Sequence, residues 1–183
     1  PLEEYSARRE IEMIRTAIDR SGRSMVLSLS PGPAVIGEAW HMAKYANMWR
    51  ITDDFWDNWP SLLEMFWRCE VWQAHVQPGR YPDCDMLPLG RIGVKFGQSR
   101  QTRFTPDEQK TLLTLWSIFR SPLILGAELP SLDEATLRLL TNRDVLRLNR
   151  HSFGTRQIVR DDAHAVWVSQ DEDGSRYAAL FNL

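Results

Sequence analysis

Three observations predict an α/β chain of parallel βα units that passes into an antiparallel β segment. Up to about Arg150, short apolar runs alternate with amphipathic helical stretches, the pattern of parallel βα units rather than of a meander. Polar or acidic residues collect after those runs, at Ser30, at Asp54 and at Asp83 and Asp85. Ligand sites in parallel sheets and barrels lie at the carboxyl ends of the strands, so the chemistry sits where such a fold would put it. From Gln157 onward the sequence becomes β segments around an Asp-Glu-Asp-Gly turn, and a junction falls near residues 151–156.

Taken in order, residues 3–20 carry Ala7, Ile11, Ile14 and Ile18 on one helical face, with Gly22 as the C-terminal cap. Met25-Val26-Leu27-Ser28-Leu29 suits a strand buried on both faces, followed by the loop Ser30-Pro31-Gly32-Pro33. A short helix over 35–45 precedes a second buried strand, 47–51, whose C-terminal loop is 52–57. Ser61 and Glu64 can form a capping box for a helix to about Val76, with Leu62, Phe66, Cys69, Trp72 and Val76 on its buried face. Residues 85–89 are another short apolar run edged by acids, and 91–103 a polar loop.

Thr105 and Glu108 make a second capping box with Pro106 at the first helical position, and Leu112, Leu115, Trp116 and Phe119 form the helix stripe. Residues 122–126 read as a strand, Ser131 and Glu134 as a third capping box for a helix to about Leu140, and Asn142 as the start of a short helix. The β segments at 158–159, 165–168 and 177–183 are too few to be stable alone, so this unit is expected to continue. Pro1 is not an initiating Met and the chain stops inside a strand, so the sequence reads as an excerpt of a longer protein.

With 183 residues, 43% hydrophobic and 25% charged, the chain can bury an ordinary globular core. A net charge of -2 leaves no electrostatic footprint for nucleic acid or an anionic membrane. No apolar run reaches the roughly eighteen residues of a membrane span. Cys69 and Cys84 lack metal-ligand spacing and read as free thiols. His41, His75, His151 and His164 show neither metal spacing nor a Ser or Cys nucleophile in a recognisable elbow, and no metal or organic cofactor is implied.

Eight tryptophans are many for this length and favour a carbohydrate or aromatic ligand. In residues 49–59, Arg50 stands four positions before Asp54, with Trp49, Trp56 and Trp59 around them; Asp83 and Asp85 follow some thirty residues later. Aromatic faces stack on the apolar face of a pyranose, Arg and Asp hydrogen-bond its hydroxyls, and a carboxylic acid beside apolar rings can be tuned to donate a proton. The alternatives stay open: the Asp residues as caps or turn formers, Arg50 in an ion pair with Asp53 or Asp85, Asp83 as a loop brace, Ser30 as a turn residue. Trp72, Trp116 and Trp167 fall on buried faces, and Trp56 is the best candidate for an exposed stacking ring.

The ordered set Trp49-Arg50, Asp54 and Trp59; Asp83-Cys84-Asp85-Met86-Leu87 with Gly90; Leu115-Trp116; residues 121–126 with Leu129; Asn142, Asp144-Val145 and Leu148-Asn149 resembles glycoside hydrolase family 27. Its members are α-galactosidases and α-N-acetylgalactosaminidases, and the match runs over residues 24–150. The resemblance implies the second half of a (β/α)8 TIM barrel over residues 1–151, followed over 152–183 by the first strands of an antiparallel β-sandwich. It also implies a retaining mechanism on terminal α-linked galactose, with Asp54 as acid/base and Arg50, Asp83, Asp85, Met86 and Ser30 binding substrate. The nucleophile of that family lies in a Lys-x-Asp motif on the fourth barrel strand and would belong to an N-terminal half that this chain lacks, which leaves the chain inactive by itself. Adjacent Asp53 and Asp54 do not replace the pair, because a retaining mechanism sets its carboxylates about 5–5.5 Å apart across the bond.

Leu29-Ser30-Pro31 stands where α-galactosidases carry Cys-Glu-Trp. Ser30 is similar to the α-N-acetylgalactosaminidase branch, and Cys84 replaces a usual Pro. The alternatives are therefore an α-N-acetylgalactosaminidase or a non-catalytic carbohydrate-binding protein on the same scaffold, with a pentopyranose as a third sugar. An isolated half-barrel would expose sheet edges, which invites association with its other half or homo-oligomerisation. The compartment is left open.

Overall fold

The computed structural model describes residues 7–30, 32–95 and 97–183, so the helical positions 3–6 and Pro31 of the predicted loop lie outside the described residues. Helix α1 (Arg8–Arg20) leads to β1 (Ser28–Leu29), α2 (Ala39–Tyr45) to β2 (Met48–Arg50), and α3 (Trp59–Trp72) to β3 (Tyr81–Asp83). The three strands lie side by side in that order, all parallel, with Leu29 opposite Trp49 and Arg50 opposite Asp83. Their carboxyl ends therefore bring Ser30, Arg50 and Asp83 to one edge. A hairpin of β4 (Arg91–Ile92) and β5 (Arg100–Gln101) follows, then α4 (Pro106–Phe119), α5 (Glu134–Leu140) and α6 (Arg143–His151).

At Ser152 the chain becomes antiparallel sheet: β6 (Ser152–Arg160), β7 (His164–Asp171) and β8 (Arg176–Asn182). This sheet shares a core with the helices. Phe181 meets Phe66 edge-on at 4.9 Å, and Trp167 meets Phe119 at 6.2 Å. Trp49, Leu62, Phe66, Leu112, Leu115, Trp116 and Phe119 have no exposed surface, so the stripes read from α3 and α4 are the buried faces. Each such side chain contributes about 1.5–3 kcal/mol by leaving water.

Local chemistry explains where the elements begin. The Thr105 capping box is present, with Pro106 at the helix start, and Asn142 caps α6 by accepting from the amides of Asp144 and Val145. Two expected caps are corrected. Asn58 rather than Ser61 caps α3, accepting from the Ser61 amide and so starting the helix at Trp59-Pro60. Asp133 rather than Ser131 caps α5, accepting from the Thr136 amide.

Other expectations change for reasons of pairing. Val26 is 71% exposed and lies before β1, while Leu27 and Leu29 are buried, so among the described residues this run is covered on one face only rather than on both. Ile14 is likewise exposed on α1. The loop over 91–103 contains the β4–β5 hairpin, and the strand expected over 122–126 reduces to one parallel bridge, Leu125 to Leu87.

Candidate functional site

Arg50 ends β2 and organises the edge where the parallel strands finish. Its Nη1 donates to Ser30 Oγ at 3.4 Å, and its Nη2 donates to Asp54 Oδ1 at 3.1 Å and lies 3.2 Å from Asp85 Oδ2. The guanidinium thus joins residues that follow β1, β2 and β3. Its side chain is largely buried, and its Nε, without solvent contact, has no partner among the described residues. Cationic donors held near unsaturated acceptors in a partly dry setting are suited to several hydroxyls of one polyol ligand.

Four of the six predicted site residues, Ser30, Arg50, Asp54 and Asp85, are therefore brought together, and they differ in freedom. The Asp54 side chain is 85% exposed, open to solvent with Arg50 as its partner rather than enclosed by apolar rings. Asp85 is held harder: its Oδ2 accepts from the Phe55 amide at 2.7 Å, its carbonyl accepts from Trp116 Nε1 at 3.0 Å, and its backbone is left-handed, φ 74°. A non-glycine residue in that region is uncommon, Asp and Asn being the best tolerated, and such strain clusters at ligand sites.

Asp83 sits behind the others and does what a loop brace does. Buried at 3% exposure, its Oδ1 accepts from the Asp85 amide at 2.9 Å. Burial pushes its carboxyl above the usual range, against the lowering effect of that hydrogen bond. Met86 is half-buried against Gly126, where an added Cβ would come within 2.4 Å of its sulfur; Gly126 is thus required for Met86 to lie where it does. Cys84 between the two acids is buried 3.6 Å from Cys69 with both thiols free, and burial pushes its pKa well up.

The tryptophans divide differently from the expectation. Trp49 is wholly buried against Trp72 and belongs to the core, Trp56 and Trp59 are half-buried, and the two most exposed rings are Trp40 and Trp67. Trp116 packs in the core as expected and also fixes the Asp85 carbonyl.

Sequence reasoning missed the supports of the loop that carries Asp54. Phe55 inserts its ring 4.9 Å from Trp116 and 6.2 Å from Phe104. Asp57 is buried and receives both Nη atoms of Arg100, at 2.5 and 2.7 Å, together with the Arg103 amide at 2.5 Å. Burial acts to raise its pKa, but these donors outweigh it and hold the carboxyl below the usual range. Asp57 and Arg100 are 43 positions apart, so no local spacing connects them; the one signal was an acid in a stretch whose neighbours Phe55 and Trp59 point inward. Among the described residues no group of three or more His, Cys, Asp or Glu could hold a metal ion, and no helix is long and apolar enough to cross a membrane.

Comparison with known proteins gives a consistent picture. Residues 3–151 match the family model described as Alpha galactosidase A. The chain is similar to alpha-galactosidase 2 of Arabidopsis thaliana, 28% identical over 165 residues, which are 89% of this chain and 39% of that protein. It is also similar to alpha-N-acetylgalactosaminidase of Gallus gallus, 29% identical over 160 residues, 81% of this chain and 37% of that one. Among solved structures, a family 27 β-L-arabinopyranosidase from Geobacillus stearothermophilus superposes with a TM-score of 0.93 at 54% identity, covering 96% of this chain and 41% of that chain. The chain therefore spans about two fifths of the length of these proteins.

Proposed function

Because this chain belongs to the α-galactosidase A family, glycoside hydrolase family 27, we propose that it is part of a retaining glycosidase that removes a terminal sugar of α-galactosyl configuration. The observation that carries the reading is the Arg50 guanidinium, shared among Ser30, Asp54 and Asp85 at the carboxyl ends of three adjacent parallel strands. That edge is where βα architectures bind ligands.

In this reading residues 1–151 form the second half of a (β/α)8 barrel and residues 152–183 begin an antiparallel domain. Arg50 and Asp85 hold the sugar hydroxyls, with Met86 and Ser30 beside them, and Asp83 acts through Asp85. Asp54, exposed at the rim, passes its proton to the glycosidic oxygen as the bond from the anomeric carbon breaks; it then takes a proton from water in the second step. The attacking carboxylate comes from the N-terminal half, so residues 1–183 alone are expected to be inactive. No metal or organic cofactor enters these steps.

One observation favours a narrower substrate. The Geobacillus relative, a β-L-arabinopyranosidase, is 54% identical over nearly the whole chain. β-L-Arabinopyranose has the ring configuration of α-D-galactose without its hydroxymethyl group, so the same polar contacts serve both sugars. Ser30 in place of a larger acid, and the similarity to an α-N-acetylgalactosaminidase, support an N-acetylgalactosaminide as the alternative.

The test is hydrolysis of the p-nitrophenyl glycosides of α-D-galactose, β-L-arabinopyranose and α-N-acetylgalactosamine by the full-length protein. Turnover of one of them is expected, and the preferred sugar ranks the substrate readings. For the Asp54→Asn variant, kcat/KM toward an alkyl glycoside of that sugar should fall by about 10²–10⁴-fold. Sugar binding without turnover of any of the three would replace the enzyme by a carbohydrate-binding protein.

A further inference from the structure

The loop after β2 carries its exposed acid between anchors of unequal kind. Upstream, the Ile51 amide donates to the Asp83 carbonyl at 2.9 Å and Arg68 Nη1 donates to the Ile51 carbonyl at 2.8 Å, which fixes the strand end. Downstream, Phe55 is pinned through its amide and its ring, and Asp57 is saturated by Arg100 and the Arg103 amide. Asp54 is thus flanked by fixed backbone while its own side chain stays in solvent.

Arg100 lies on β5, and the hairpin it belongs to is tied elsewhere in the site. The Thr102 amide donates to the Gly90 carbonyl at 2.8 Å, and the Glu128 amide donates to the Arg91 carbonyl at 2.8 Å, close in sequence to Gly126 and its Met86 contact. The fork of Arg100 on Asp57 therefore clamps the Asp54 loop to a hairpin that is itself held by the segments after β3 and before α5.

We propose that Asp57 and Arg100 are positioning residues for Asp54, a clamp that sets where the exposed acid meets the leaving oxygen. The proposal rests on the glycosidase reading. A planar fork on both carboxylate oxygens fixes orientation as well as distance, which a single contact would not. Displacement of a catalytic group by about 1 Å can cost about 10²-fold, so a clamp at Asp57 has leverage on chemistry it never touches.

The test uses leaving-group dependence, which a merely structural role would not move. Proton donation matters for an alkyl aglycone and little for 2,4-dinitrophenol, which departs unassisted. In the full-length enzyme, Asp57→Asn and Arg100→Gln are expected to lower kcat/KM for an alkyl glycoside by about 10–10²-fold. The same variants should change kcat/KM for the dinitrophenyl glycoside of the same sugar by less than about threefold. Arg100→Lys, which keeps the cation and loses the fork, should fall between.

Equal losses on both substrates, or no loss, would overturn the proposal. So would an Arg100→Gln protein that fails to fold, since Arg100 is the partly exposed partner and Asp57 keeps the Arg103 amide in that variant. Asp54→Asn, measured alongside, separates the two ideas. If it shows the leaving-group dependence and the clamp variants do not, the clamp alone is wrong. If it shows none, the acid assignment of Asp54 fails and the clamp with it.

Discussion

Two arginine–carboxylate clusters in this molecule look alike in composition and differ in how full they are. At the end of β7, Asp171 receives two nitrogens of Arg147, the Tyr177 hydroxyl and the Asp173 amide, and Arg147 also reaches Asp173 at 2.6 Å. Every oxygen of Asp171 is used, and Arg147 with Tyr177 holds its carboxyl well below the usual carboxylate range. At the end of β2, by contrast, Arg50 shares one nitrogen between two acids and, among the described residues, leaves Nε unpaired and faces an Asp54 with a single contact. A saturated cluster has nothing left to offer a ligand and works as a fastener between α6 and the β7–β8 turn. The unsaturated one has donors and acceptors in reserve.

The comparison breaks first, if it is wrong, at Arg50. If the full-length protein is the proposed glycosidase, Arg50→Ala should lower its kcat/KM by about 10- to 100-fold, as expected for losing charge-assisted bonds to a ligand, with little change in Tm. A lowered Tm and unchanged kcat/KM would make Arg50 a fastener like Arg147.

Asp171→Asn should do the opposite, lowering Tm while kcat/KM stays as it was. The pH dependence sharpens this. The folded pKa of Asp171 is depressed, so its stabilisation is fully present above the ordinary carboxylate value of about 4 and is lost as pH falls through the lowered folded value. The Tm difference between wild type and variant should be largest at neutral pH and shrink in acid, followed by thermal unfolding monitored by circular dichroism.

The smallest effect is expected at Asp83, where the sign reverses. Its folded pKa is raised by burial, so the ionised form costs stability at neutral pH, and the cost disappears as pH falls to about 4 and below. Asp83→Asn keeps an oxygen for the Asp85 amide. Its Tm should match or slightly exceed wild type at pH 7, with the two converging in acid. A large loss at pH 7 would mean that the charge itself, and not only the acceptor, holds the site.

How much of this was legible depended on distance along the chain. The Thr105–Pro106–Glu108 cap, the Asn142 cap and the stripes of α3 and α4 are patterns within a few residues, and they appear as read. Where two local signals compete, local pattern does not decide between them: Ser61 and Glu64 look like a box, but Asn58 with Pro60 two positions on starts the helix sooner and satisfies the Ser61 amide. The convergence of Ser30, Arg50, Asp54 and Asp85 could be anticipated because strand ends collect loops. The role of Asp57 could not, since its partners lie in a hairpin read as a loop, and neither charge alternation nor spacing ties an acid to an arginine 43 positions later. Val26 shows the same limit for packing: an apolar run signals a buried segment, and only the packed layers show which faces are covered.

The left-handed backbone at Asp85 also restricts how this site could have changed over time. Few residues rest comfortably at φ 74°; Gly and Asn do, and of these only Asn retains an acceptor for the Phe55 amide. Drift at this position is therefore channelled through one neutral neighbour, which preserves the shape of the turn while removing its charge. A selection from random codons at residue 85 should return Asp under demand for turnover, and Asp with Asn under demand for folding alone.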